Sequence, residues 1–444
     1  MTPDEYLPLL TKRLDSAQKR IALNRRYSTG NAPMPEMGQN TKASWVAFQK
    51  KARTDFGGLT CRSLAGRIIP NGVRVGETST GAGVLAARKI WRDNRLGVVF
   101  ADAIWNMLSV SRGYLVTGVR DGLPIITSEL PEQVITIPDP VQKWRARAAL
   151  RAWRDTETGF DHAWVRIPGV QQNYIRKSAK ANGMTRDTVS GTDWEQYGPP
   201  QLHDGGVGVF VLDNYLDVAE FEPHIDIIDR INMGKLNRLV ITAMQAFKQR
   251  AIKGGLQKTD EDGNDIDWAG MFEPAPGALW DLPEGIDIWE SAPTDIRPLL
   301  EGEKEDARDF AGTTQTPIDV FIPDGQNQSA TGAANSQKGE ISKAKDRIER
   351  AAAGMSAAML DALRIMGLDD GSTVDVLFEA PAHVSLNEKM LAATQAKAAG
   401  MSDRWIARNI MNMTPDEIAE NEADLADQGL SALLAGVSSG ATIG

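Results

Sequence analysis

Leu7, Leu10, Leu14, Ala17 and Ile21 recur at intervals of three and four, so they share one face of a helix that should break at Ser28-Thr29-Gly30-Asn31. The spacing continues over Ala43 to Arg67, with Trp45, Phe48, Ala52, Leu59 and Leu64 as the buried positions. Val84 to Met107 holds two more helical stretches, divided near Asn94 and Gly97. From Gly113 the period falls to two. The runs 114–119, 125–127, 134–137, 148–153, 163–167 and 171–175 read as strands, and Asp121-Gly122 as a hairpin turn. Ser178 to Gly208 is rich in Gly, Ser, Asn and Asp and predicts a long loop with little regular structure.

Helical periodicity then dominates. Ile225, Ile228, Ile231, Leu236, Leu239, Val240, Ala243 and Phe247 predict a rod over 226–250, roughly 37 Å long and closed by Gly254-Gly255. An insert over 253–293 sets Lys253 and Lys258 against ten acids. A second helix over 294–313 stops before Thr316-Pro317, and the polar loop Pro323 to Ser329 follows. The longest helix spans 331–366, with Ile341, Ile348, Met355, Met359, Leu363 and Met366 as its apolar stripe. A strand over 373–378 precedes helices at 385–399, 402–412 and 415–434. The last of these is announced by Thr414-Pro415-Asp416-Glu417, an N-cap, a first-turn Pro and a Glu three residues on. The tail Gly436 to Gly444 predicts disorder. The implied class is α+β, mainly helical.

Charge and chemistry narrow the function. The 444 residues carry a net charge of −10, which argues against a surface that wraps nucleic acid tightly. Gly76 to Gly83 comes closest to a phosphate-binding loop but lacks the lysine. His162, His203, His224 and His383 are scattered, without metal-ligand spacing. Asp260 to Asp267 resembles a calcium loop only loosely, because Gly263 and the missing terminal Glu break the pattern. A solvated acidic hairpin is the better account. Cys61, the single cysteine, forms no internal disulfide. Met1 to Leu10 contains Asp4 and Glu5 and does not read as a signal peptide, and no apolar run approaches the roughly 18 residues of a membrane span. The expectation is a chain without catalytic set, metal, cofactor or membrane segment.

The order of these parts resembles the portal proteins of tailed bacteriophages, siphophages in particular. Asn24 to Gly30 is similar to the family's Tyr-then-Gly turn after the first helix. Arg67 to Gly76 is similar to its arginine followed by a Val-rich strand, and Arg112 to Val116 to the opening of its wing sheet. Pro131 to Val134 with Asp139-Pro140 resembles the next strand pair. Thr316-Pro317 with Asn327 to Ala330 resembles the junction into the long helix, and Ser402 to Glu417 the C-terminal region. The likeness spans nearly the whole chain, and its specificity lies in the order of the parts.

The resemblance implies a portal fold: a mixed wing over 1–222, stem helices over 223–252 and 294–315, and a clip over 253–293. A tunnel loop over 316–330, a long wing helix and return strand over 331–383, and a crown and tail over 384–444 complete it. It implies a ring, twelve subunits in the virion, at one capsid vertex, assembled in the host cytoplasm. Such a ring passes double-stranded DNA in packaging, retention and ejection. Its implied partners are the terminase large subunit, then a head-completion adaptor, and the major capsid and scaffolding proteins. Asp260, Asp262, Asp265, Asp267, Trp268 and Trp280 would dock motor and adaptor; for Trp268, Trp280 and Trp289 the core of a small domain is the favoured single account.

Gly325, Gln326, Asn327, Gln328 and Ser329 would face the DNA. Amides and a hydroxyl can hydrogen-bond phosphate without the charge that would trap a duplex. Lys338, Lys343, Lys345 and Arg347 are candidates for transient phosphate contacts, and pairing with Glu340, Asp346 and Glu349 at helical spacing is the competing account. Another virion structural protein, or a soluble enzyme, is the rival reading.

Overall fold

Thr2 and Glu5 start the first helix with a capping box, each side chain accepting the other's backbone N–H. In chain order the elements are α1 (Pro3–Ser28), α2 (Ala43–Ala52), α3 (Phe56–Ala65), β1 (Pro70–Val75), α4 (Ala82–Asp93) and α5 (Leu96–Val110). Strands β2 (Arg112–Arg120), β3 (Leu123–Glu129), β4 (Val134–Pro138), β5 (Ala146–Asp155), β6 (Phe160–Ile167) and β7 (Val170–Lys177) follow. Short β8 (Glu195–Gln196), β9 (Gln201–Leu202) and β10 (Val209–Asp213) lead to α6 (Ile225–Ala246), β11 (Arg250–Lys253), β12 (Asp287–Glu290) and α7 (Arg297–Thr314). The chain ends with α8 (Lys338–Ile365), β13 (Val374–Phe378), α9 (Leu386–Ala398), α10 (Asp403–Asn409) and α11 (Pro415–Gly440). This computed structural model describes residues 1–34, 43–76, 81–177, 188–203, 205–246, 250–253, 259, 263, 287–290, 292, 294–323, 337–382 and 384–440. The class is α+β, as expected.

Two units divide the chain, one of residues 1–33, 54–228 and 307–444, the other of 34–53 and 229–306. In the first, Leu7, Leu10 and Leu14 of α1 are buried with Ile135, Leu150, Val165 and Tyr174 of an antiparallel sheet ordered β4–β5–β6–β7–β8, with β9 also on β7. A second antiparallel sheet has the order β10–β2–β3. Its hairpin turns at Asp121 (φ 53°) and Gly122 (φ 75°), the two left-handed residues that an Asp-Gly type I′ turn requires. The long helix α8 buries Ala344, Ala351, Met355, Ala358, Met359, Ala362 and Leu363. Gly354 lets it approach β10 closely, because a Cβ there would lie 3.0 Å from both the Val211 carbonyl oxygen and Leu212 Cδ1. β13 returns to pair antiparallel with β1, Val376 opposite Val73, and Arg74 meets Asp375 at 2.7 Å.

In the second unit, residues 229–246 of α6 and 297–306 of α7 run antiparallel. Arg230 pairs with Asp306 at 2.8 Å and Arg238 with Glu303 at 3.0 Å, and Gln245 donates to the Thr294 carbonyl at 3.2 Å. β11 and β12 pair antiparallel, Arg250 opposite Glu290 through Lys253 opposite Asp287.

Several expected boundaries move. The stretch 43–67 is two helices, interrupted at 53–55. The rod expected over 226–250 ends at Ala246, and Arg250 opens a strand instead. α7 starts at Arg297, where Pro298 suits a first turn. Of the expected loop 178–208, the described residues 188–203 are more ordered than their composition suggests, while 178–187 and 204 lie outside the described residues. Asp15 accepts the Val189 and Ser190 N–H groups at 2.6 and 2.8 Å, β8 and β9 extend the sheet, and the Arg176 guanidinium lies 4.3 Å from the Trp194 ring centre. The C-terminal helix runs to Gly440, so 436–440 are helical where disorder was expected, and 441–444 lie outside the described residues.

Candidate functional site at the base of the 324–336 segment

The chain enters this segment from α7. The Thr314 hydroxyl donates to the Phe310 carbonyl at 2.7 Å, Gln315 turns the backbone at φ 52°, and the Thr316 N–H returns to the Ala311 carbonyl at 3.0 Å. Beyond Pro317 a short 3₁₀ turn brings Phe321 flat onto Phe56, with ring centres 4.8 Å apart and planes 6° apart. Phe310 meets Phe56 edge-on at 5.7 Å and Phe321 edge-on at 5.4 Å. Each such aromatic pair contributes about 0.5–1.5 kcal/mol beyond the area it buries.

On the far side α8 begins with Lys338 exposed. The Glu340 carboxylate, almost fully buried, accepts from Ser63 Oγ and Arg67 Nε, both at 2.5 Å. Lys343 Nζ donates to the Thr314 carbonyl at 2.7 Å and pairs with Glu220 at 3.3 Å. One lysine thus joins the end of α7 to the start of α8 and to the 214–224 corner. Arg347 Nε donates to Glu220 at 2.7 Å, its guanidinium also reaches Asp346, and Arg350 pairs with Asp346 at 2.9 Å. Arg347 and Arg350 both lie 5.3 Å from the centre of the Tyr215 ring.

Burial by itself would raise the Glu220 carboxyl, but Lys343, Arg347 and Asn214 outweigh it and hold that carboxyl below the usual range. Burial, followed by the charge of Lys343, lowers the nearby His224, so that imidazole is neutral at pH 7. These groups line a cleft of about 390 Å³. It holds a satisfied ion cluster rather than a nucleophile beside a base. Among the described residues no group of three or more His, Cys, Asp and Glu is placed to hold a metal ion, and no helix is long and apolar enough to cross a membrane.

Of the residues singled out in the sequence, Gly325, Gln326, Asn327, Gln328 and Ser329 lie outside the described residues. So do Asp260, Asp262, Asp265, Asp267, Trp268 and Trp280. Trp289, on β12, is 56% exposed. Lys338 and Lys345 are exposed, whereas Lys343 and Arg347 are drawn inward to Glu220, and Glu340 pairs with Arg67 rather than along its own helix. Sequence reasoning missed Glu220, whose Ala219-Glu220-Phe221-Glu222 context shows no periodicity. It also missed the ring cluster, for which Phe321-Ile322 beside a polar loop was the available signal.

No family model matches the chain, and neither does any curated protein. Among solved structures, a chain from the virion of a native gene transfer agent particle is 12% identical, covering 89% of this chain and 99% of that one, with a TM-score of 0.47. A chain from the neck of the native particle, computed with C12 symmetry, is 12% identical over 87% of this chain and 98% of its own, with a TM-score of 0.47. One from the neck of the empty particle, computed with C6 symmetry, is 12% identical over 89% and 100%, with a TM-score of 0.44. Similarity at this level fixes neither fold family nor function.

Proposed function

We propose that the chain is a portal-type subunit: copies form a ring at a capsid vertex through which double-stranded DNA is packaged, retained and ejected. On this reading the ring docks a terminase motor and later a head-completion adaptor, and the chain itself is not an enzyme. One arrangement carries the reading. An antiparallel helix pair is joined across a strand-paired acidic insert, and the second helix leads through a polar segment, tied down at both ends, into a helix of 28 residues. Glycine and uncharged hydrogen-bonding side chains on a fixed base suit a segment that touches a moving duplex without holding it. With Lys343 and Arg347 engaged by Glu220, phosphate contact falls to Lys338 and Lys345. Acids in the 253–293 insert would repel the duplex from the mouth of the channel and present charge to motor and adaptor.

Negative-stain images and mass photometry of the purified chain test the reading. Uniform rings with an open bore, twelve copies in the virion, are expected. A monomer with catalytic turnover would replace this reading with the enzyme one, and an assembly without a bore would point to a different virion structural protein.

A further inference from the structure

Strands β4 and β5 are joined by a turn that is rigid yet carries its apolar side chains outward. Asp139 Oδ1 accepts the N–H groups of Val141 and Gln142, both at 2.8 Å. The Asp139 N–H meets the Arg145 carbonyl, and the Arg145 N–H meets the Gln142 carbonyl, again at 2.8 Å. On this frame Val141 is 84% exposed and Trp144 is 72% exposed. Lys143 and Arg145 flank them, exposed and without an ion pair among the described residues. Across a cleft of about 450 Å³ lies Leu216, 74% exposed at φ 54°, a left-handed conformation that a leucine rarely adopts. A preorganised turn bearing an exposed Trp between two cations has the composition of an interface anchor.

The C-terminal helices show the complementary surface. α9 opens on a capping box of Ser385 and Glu388 but buries none of its residues. A helix of that length is marginal in water without packing. Leu386, Met390 and Leu391 are each more than half exposed, and so is Leu425 on α11. Residues 415–440 contain no Lys or Arg, while Glu420, Asp424 and Asp427 are exposed along one side of α11.

We propose that the Trp144 turn of one copy docks on the 386–427 helices of a second copy of this chain. Apolar surface meets apolar surface, and the unpaired cations of one meet the uncompensated acids of the other. The contacting surfaces differ, so the contact is head-to-tail, the kind that builds a ring when its rotation closes. This inference rests on the ring reading and identifies which faces make the ring.

Charge exchange tests it. Lys143→Glu with Arg145→Glu, and separately Asp424→Lys with Asp427→Lys, should each raise the concentration at which rings dissociate by about tenfold or more. The chain carrying all four changes should return to within about threefold of wild type. Trp144→Ala should weaken rings without changing charge. Circular dichroism and melting of each variant should match wild type, since every altered side chain is exposed; should a reversal lower the melting point, Lys143→Gln with Arg145→Gln reads the same contact. Variant rings that dissociate at the wild-type concentration, or a fourfold variant no better than either pair, overturn the docking surface and leave the ring reading standing. A wild-type chain that stays monomeric overturns both.

Discussion

Glu220 faces Lys343 and Arg347 from a site that water barely reaches, so its carboxylate is what allows two cations to sit there. Replacing it by Leu leaves Lys343 without an anion and Arg347 with Asp346 alone, and stability should fall by about 3–5 kcal/mol in a denaturant titration. Glu220→Gln keeps the shape and part of the hydrogen bonding, and should cost less. The acid limb of stability has a defined sign. This carboxyl is held below its usual value in the folded chain, so its contribution is complete above the unfolded value near ~4.3 and is lost as pH falls through the lower folded value. The denaturation midpoint should therefore drop below about pH 4 in the wild type, with a shallower drop in Glu220→Gln.

At the scale of elements, Gly354 separates helix propensity from packing. Alanine there favours an isolated helix by about 0.8–1 kcal/mol. Its Cβ would nevertheless press on the Val211 carbonyl, part of a strand that cannot easily retreat, and on Leu212. Crowding of this kind costs about 1–3 kcal/mol, so the melting temperature of Gly354→Ala should fall rather than rise. Elements with a strong period were legible in the sequence: the α1 stripe, the strands between 112 and 177, the Asp121-Gly122 hairpin and the Thr414 cap all stand where periodicity and turn chemistry put them. Other features were not, and for physical reasons. Four of the seven apolar residues that α8 buries are alanines, so a stripe drawn through Ile341 and Ile348 understates how closely it packs. The order in 188–203 comes from Asp15, far away in sequence, and β10 is set by its pairing with β2. The base of the 324–336 segment depends on Glu220, Arg67 and Phe56, three residues whose local contexts share nothing.

For the whole molecule the proposed channel makes two demands. Deleting 324–329 should leave rings intact, because the ring cluster and the Lys343 bridge lie outside the deletion, while the DNA retained per particle decreases. Full genome content in such particles would remove the segment from any role at the duplex. Neutralising Asp260, Glu261, Asp262, Asp265 and Asp267 should weaken motor or adaptor binding in a pull-down and leave ring yield unchanged; the reverse pattern would make those acids structural. The pairing of β1 with β13 has a consequence for synthesis. The ribosome has made about three hundred further residues before Val376 can meet Val73, so the nascent chain waits with β1 unpaired. Chains stopped before residue 374 should aggregate or bind holdase chaperones, whereas chains extended past 378 should fold, which makes completion of translation a checkpoint on which subunits reach assembly.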